Sequence, residues 1–221
     1  MAGAVAASTS TVRVGSWVFS AATRNPGLTV KMAETLDEIS DGRFIFGLGS
    51  GHPADFGQGA AFGFPEEKTV SRYEEALEEI IVPALRGEIV SWEGRYHRAH
   101  ELEIRPRGPR PGRIPLMLGA HGPRTMRLAA KHADIWSSAA MDDSRPEWFA
   151  PMIDRVEEAC AAVGRESRHA RALARRHHRG RRRADGRGVE DHRTRLEDRR
   201  APRRVRGDRR DAGRADGRAE Q

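Results

Sequence analysis

Apolar and polar positions follow strand-like and helix-like periods in alternation up to Gly164, and after that residue the periodicity disappears. Val12, Val14, Trp17, Val18 and Phe19 make a β-rich run between Thr11 and Ser20 that reads as a mostly buried strand. Asn25-Pro26 then offers an N-cap and a favoured first helical residue; Leu28, Met32, Leu36 and Ile39 recur at helical spacing, and Gly42 stops the run. Arg43 to Phe46 leads into Gly47-Leu48-Gly49-Ser50-Gly51, which completes a β-α-β unit with a candidate site at its C-terminal edge. A long helix is predicted from about Glu67 to Arg86, with Val70, Tyr73, Leu77, Ile80, Ile81 and Leu85 on one side, a kink at Pro83 and a stop at Gly87. Ile89 to Arg105 reads as a hairpin or loose excursion turning at Glu93-Gly94, and Arg105 to Arg113 as a Pro/Gly/Arg linker. A strand at Ile114 to Leu118, a helix at Arg124 to His132, a short strand at Asp134 to Ser137 and a helix from about Pro146 to Val163 complete the alternation. Strands that alternate with helices predict a parallel sheet with helices packed on it.

The segment Gly119-Ala120-His121-Gly122-Pro123-Arg124 joins one of these strands to its helix. Pro123 falls where a first helical residue needs no N–H, and the amides around Ala120, His121 and Gly122 are expected to lack carbonyl partners. Such a helix end seats a phosphate, because unpaired N–H groups and the positive end of the helix dipole favour an anion, and Arg124 adds charge. On these six residues alone, an ordinary strand-to-helix loop is an equal reading.

Composition changes the picture at the C-terminal end. Arg165 to Gln221 hold 21 Arg against ten Asp and Glu, with no Lys and no aromatic residue, so this stretch carries about +11 while residues 1–164 carry about −4. With only Leu173, Val189, Leu196 and Val205 as large apolar residues, it buries too little surface to offset its chain entropy, and disorder is expected. The single cysteine, Cys160, excludes an internal disulfide framework and fits a reducing compartment. Ala2 to Ala7 resemble neither a signal peptide nor a membrane anchor, so a cytoplasmic location with no membrane partner is expected. Cys160 shares an apolar stripe with Phe149, Met152, Ile153, Val156 and Val163, which argues packing. Glu74, Glu75, Glu78 and Glu79 read as a solvated helix face, and Trp17 and Trp136 as core. No Cys/His cluster has metal-ligand spacing and no Ser-His-Asp arrangement is suggested.

Arg24-Asn25-Pro26, Lys31 to Phe44, Gly47 to Gly51 and Gly119 to Trp136, taken together at these separations, resemble the luciferase-like monooxygenase family of oxidoreductases, which use FMN or the deazaflavin coenzyme F420. The resemblance spans roughly Ala6 to Gly164 and implies a (β/α)8 barrel with the cofactor across the C-terminal strand ends. It implies a bulge around Ser16 to Phe19 against the flavin ring, often with a non-prolyl cis peptide. It also implies cofactor binding by Gly49, Ser50, Gly51 and His52, where glycine permits close approach, and by Gly119, Ala120, His121, Gly122 and Arg124 around the phosphate. His52 and His121 could touch the cofactor or donate to its phosphate, but their favoured reading is as loop histidines without catalytic duty, and no catalytic residue is assigned.

A closed barrel needs eight strands and typically ~250 residues, so the matching body corresponds to part of one, about strands 3 to 6 with their helices. The expected organisation is a partial TIM-barrel α/β domain over residues 1–164 followed by a disordered Arg-rich tail over 165–221. Unpaired sheet edges and an apolar inner face would need covering, which suggests a homo-oligomer if the chain folds. The abrupt change near Arg165 suggests a lost reading frame and an inactive fragment, with weak cofactor binding. The expected partner is a small-molecule substrate, with no specific nucleic acid. The alternative is non-specific polyanion binding through Arg175-Arg176, Arg181 to Arg183 and Arg203-Arg204.

Overall fold

The computed structural model describes residues 1–52, 59–138 and 150–166, which fall within a compact unit spanning Met1–Arg183. Of the expected tail only Arg165 and Glu166 are described, and Arg165 Nη1 donates to the Ala130 carbonyl at 2.9 Å; the Arg clusters and the predicted helix start at Pro146 to Phe149 lie outside the described residues. The element order is α1 (Ala2–Ala7), β1 (Val14–Gly15), β2 (Phe19–Ser20), α2 (Pro26–Ile39) and β3 (Phe44–Gly49), then α3 (Thr69–Glu75), α4 (Val82–Arg86), β4 (Val90–Glu93) and β5 (Arg98–Leu102), and finally β6 (Leu116–Gly119), α5 (Pro123–His132), β7 (Ile135–Ser137) and α6 (Ala150–Ala162). β1, β3, β6 and β7 lie side by side in that order, with β2 also on β3, and every pair is parallel. The expected α/β architecture is therefore present.

Local chemistry explains most boundaries. Asn25 caps α2 by accepting from the Leu28 amide at 3.1 Å, with Pro26 next in line. The predicted kink at Pro83 takes the form of a π-helical segment, Ala76–Ile81, between α3 and α4, in which the Val82 amide reaches back to the Leu77 carbonyl. Proline has no N–H for the regular ladder, and the preceding turn widens to keep its other groups bonded. Gly87, at φ 103°, ends α4 in the left-handed conformation that glycine adopts without penalty. The hairpin β4–β5 is antiparallel and turns at Gly94, whose amide donates to the His97 carbonyl at 3.0 Å.

Phe44, Phe46, Leu48, Leu116, Leu118 and Trp136 point from the sheet into a core completed by Val30, Ala33, Tyr73, Leu77, Ile80, Ile81 and Leu128. Cys160 and Val156 are buried on α6 as the stripe predicts, and burial pushes the Cys160 thiol up. Two sequence expectations fail here. The run Thr11 to Ser20 is not one buried strand, since Val12 and Trp17 are more than half exposed and pairing breaks between Gly15 and Phe19. Helix α2 also turns its predicted face outward: Leu28 and Ile39 are 60% and 44% exposed, while Val30, Ala33, Glu34 and Asp37 are buried.

The rotation of α2 has an electrostatic cause. Asp37 receives the Arg110 guanidinium, Glu34 accepts from the Gly108 amide at 2.8 Å and pairs with Arg107 at 3.1 Å, and Lys31 Nζ donates to the Arg105 carbonyl at 2.7 Å. The predicted linker is thus a strap along α2. Its arginines permit two carboxylates to be buried, because each has a cationic partner and hydrogen-bond donors.

Candidate functional site

The C-terminal ends of the parallel strands carry the site, and a bulge shapes it. Gly15 pairs with Ile45 and Phe19 with Leu48, so Ser16, Trp17 and Val18 stand opposite only Phe46 and Gly47. One extra residue is accommodated in the first strand. Ser16 secures the bulge on both sides of Gly47, donating from Oγ to its carbonyl at 2.8 Å and accepting from its amide at 2.9 Å. The peptide between Trp17 and Val18 is cis, within the segment where the family resemblance placed a bulge.

Ser20, Gly49, Gly119 and Ser137 form one row across four strands, since Ser20 pairs with Gly49, Gly49 with Gly119 and Gly119 with Ser137. The two glycine-bearing strand ends are therefore neighbours. Their lack of side chains has a local reason as well as the expected one. A Cβ at Gly49 would stand 2.9 Å from Val18 Cγ2, and one at Gly119 would touch the same methyl at 3.5 Å, so the bulge rests on these glycines. Ser20 Oγ is buried and has no hydrogen-bond partner among the described residues. Gly51, at φ 106°, lies over Ala22 and Ser20, with Ser50 half-buried and His52 exposed beside it.

Trp17 corrects the expectation of a core residue. The residue is 53% exposed, and its Nε1 donates to Ser137 Oγ at 2.6 Å, linking the bulge to a strand 120 residues away. Trp136 is core as expected, 2% exposed, and donates to the Ala120 carbonyl at 3.0 Å. Spacing could not distinguish the two tryptophans, because Trp17 leaves the strand's alternation at the bulge. Ser20 and Ser137 carry no sequence signal of their own, and only their register with the glycines reveals them.

At the phosphate-type turn, the structure divides the predicted residues. The Ala120 amide is not free, since it donates to the Ser137 carbonyl at 3.2 Å and continues the sheet ladder. Among the described residues the His121 and Gly122 amides find no carbonyl partner, as predicted, and instead approach Thr125 Oγ1 at 3.3 and 3.2 Å. Thr125 stands three residues after the Gly122 cap, the position from which a side chain reaches back in a capping box. His121 Nδ1 lies 3.3 Å from Ser138 Oγ, and His121 is among the residues lining a cavity of about 470 Å³ between α5 and α6. The Arg124 guanidinium faces away from the turn, donating to Ser71 Oγ at 3.2 Å and pairing with Glu74.

The Glu74 to Glu79 face is not simply solvated. Glu74 pairs with Arg124 and Arg127, Glu78 with Lys131 and His132, and Glu75 accepts from the Arg95, Tyr96 and His97 amides at the hairpin. Burial pushes the Glu78 carboxyl up, but donation from His132 and Lys131 outweighs it and holds the group below the usual carboxylate range. Burial holds the His132 imidazole down despite Glu78, and burial likewise lowers His97 against its bond to the Arg72 carbonyl. Both rings therefore take protons less readily when folded than when unfolded. Their contribution to stability is complete above the ordinary histidine value of 6.5 and is lost as pH falls from there through the folded values. The unfolding temperature is expected to decline over that interval. Replacing both histidines by glutamine should flatten the decline, and an unchanged slope would refute the assignment.

A parallel α/β sheet with a glycine-floored, bulge-covered site at its strand ends defines the class as an α/β protein built like the barrel oxidoreductases. The chain belongs to the luciferase-like monooxygenase family, whose sequence model matches residues 1–217. It is 30% identical over 161 residues to a 5,10-methylenetetrahydromethanopterin reductase of Archaeoglobus fulgidus, covering 73% of this chain and 46% of that protein. It is 32% identical over 159 residues to a phthiodiolone/phenolphthiodiolone dimycocerosates ketoreductase of Mycobacterium bovis, covering 71% and 40%. Among solved structures, the coenzyme F420 dependent tetrahydromethanopterin reductase of Methanopyrus kandleri superposes with a TM-score of 0.64 at 27% identity, over 76% of this chain and 50% of that one. The chain thus spans about half the length of the relatives it matches. No helix among the described residues is long and apolar enough to cross a membrane, and no group of His, Cys, Asp or Glu among them is arranged to hold a metal ion.

Proposed function

We propose that this chain binds a phosphate-bearing redox ring, coenzyme F420 in preference to FMN, and belongs to an oxidoreductase that reduces a small organic molecule. The observation that carries the proposal is the row Ser20, Gly49, Gly119 and Ser137 beneath the bulge, with the His121 and Gly122 amides two and three residues beyond Gly119. The residues fit such a group: two bare glycines leave the strand ends flat, the unpartnered Ser20 hydroxyl supplies a polar contact, and the α5 N-terminus favours an anion. The preference for the deazaflavin rests on the relatives, which include reductases and an F420-dependent one. When bound, the ring supplies the hydride chemistry, and the protein's part is to hold and orient it. Gly122, His121 and Thr125 would hold the phosphate, while Val18 and the glycines fix how near the ring comes to the backbone.

The test is a titration of the full chain with FMN and with coenzyme F420, followed by the fluorescence of the ring. Saturable binding in the micromolar range or weaker is expected, tighter for coenzyme F420. The Arg-rich stretch attracts any polyanion, so binding is measured at high salt, where attraction by charge alone is suppressed. Absence of saturable binding of either cofactor at high salt would overturn the proposal.

A further inference from the structure

The opposite end of the sheet carries a second concave, charged feature. Arg13 precedes β1, Gly112 and Arg113 precede β6, and Asp134 precedes β7; with Ile114 and Ile135 these residues line a cavity of about 410 Å³ at the N-terminal strand ends. Ile114 stands five residues before Gly119, so the cavity lies about 17 Å along the strand direction from the glycine-bearing row. It is a separate place from the strand-end site.

The arginines set this hollow apart. Arg105, Arg107 and Arg110 of the strap each meet a carboxylate, Glu103, Glu34 and Asp37 in turn. Arg113, the fourth, meets none, and neither does Arg13: among the described residues no carboxylate is within ion-pairing distance of either guanidinium. The acidic residue of the lining, Asp134, is engaged elsewhere, since its Oδ2 accepts from the Leu116 amide at 2.9 Å and ties β7 to β6. Two arginines against one aspartate leave the lining at +1. Both arginines stand on fixed backbone: the Val14 amide donates to the Arg43 carbonyl at 3.2 Å, and the Arg113 amide closes a turn on the Arg110 carbonyl at 2.9 Å. Gly112 takes φ 71° in that turn, and a Cβ there would stand 3.1 Å from the Arg86 carbonyl oxygen, so the turn is held close against the end of α4. Two like charges on one hollow repel each other, and an anion between them removes the repulsion. A phosphoryl group suits the pair better than a lone carboxylate, because one arginine fork satisfies a carboxylate, whereas a phosphate dianion has the charge and the free oxygens for two.

We infer that this hollow is a binding site for a small phosphate-bearing molecule, with Arg13 and Arg113 as its two cationic contacts.

Full-length protein is titrated with inorganic pyrophosphate, and hydrogen exchange is read peptide by peptide, which separates the hollow from the Arg-rich stretch that attracts any polyanion. Protection is expected to rise saturably in residues 110–116 and 132–136 as pyrophosphate reaches the millimolar range. Arg13→Gln and Arg113→Gln should each weaken the affinity read from that protection about tenfold, in line with loss of one charge-assisted contact, and the double variant should lose the protection. Arg98→Gln, which removes an exposed arginine of β5 paired with Glu93, should leave it unchanged. All three arginines are exposed, so circular dichroism is expected to match the parent in every variant. Citrate is run in parallel, and equal protection by citrate at the same concentrations would overturn the choice of phosphate. Undiminished protection in the double variant, or protection elsewhere in the chain with these two segments unaffected, would overturn the site. Neither result bears on ring binding at the C-terminal strand ends, which the cofactor titration tests separately.

Discussion

Gly47→Ala is expected to destabilise the protein by about 3 kcal/mol or more and to abolish binding at the strand ends. A Cβ at Gly47 would lie 1.8 Å from the Ser16 carbonyl oxygen and 2.8 Å from Met117 Cε. The methionine can move, but the carbonyl belongs to the bulge backbone, which Ser16 Oγ ties to the same Gly47 peptide through two hydrogen bonds. Adding one carbon therefore breaks those bonds and displaces Trp17 and Val18. Gly122→Ala serves as the contrast, since nothing lies within 4 Å of its Cβ position and its φ of −90° suits any residue. That change should cost less than about 1 kcal/mol. Denaturant unfolding of both variants decides the matter, and a Gly47→Ala protein as stable as its parent would mean that the bulge is not packed as described.

Loss of Asp37 is the second large effect. The carboxylate is fully buried, accepts from Arg110 Nε at 3.2 Å and pairs with the terminal guanidinium nitrogen, which also donates to the Phe44 carbonyl at 2.7 Å. Asp37→Ala strips the counter-charge from a guanidinium in a confined setting, for which about 3–5 kcal/mol is the expected cost. Removing both partners, as in Asp37→Leu with Arg110→Met, should recover much of that loss, because no uncompensated charge remains. The double-mutant cycle isolates the pair from its surroundings. Equal losses in the single and double variants would show that Asp37 acts through packing alone.

These two sites also mark how far the sequence could be read. The elements themselves were legible: Asn25-Pro26 begins α2 where the cap rule puts it, Pro123 opens α5, and Gly87 ends α4. The glycine-bearing edges at Gly49 and Gly119 were legible too, and register confirms that they are neighbours. The facing of α2 was not. A periodicity argument buries Leu28, Met32 and Ile39, and it has no means of knowing that Glu34 and Asp37 meet Arg107 and Arg110 some 73 residues later. The matching spacing of three in both pairs is visible in the chain, yet it acquires meaning only when the strap lies along the helix. Arg124 shows the same limit, since its position at the helix start suggested a phosphate while its guanidinium is held by Glu74 and Ser71.

The chain by itself determined what short-range chemistry controls: which stretches are strand or helix, and where caps and proline set their limits. Those outcomes depend on residues within a turn or two of one another, and period and cap residues encode them directly. Tertiary structure alone decided that Trp17 is turned outward and tied to Ser137, that Val18 rests on Gly49 and Gly119, and that two buried carboxylates orient α2. Each of these is an agreement between groups distant in sequence, and burial, register and charge pairing fix it only once the sheet has brought them together.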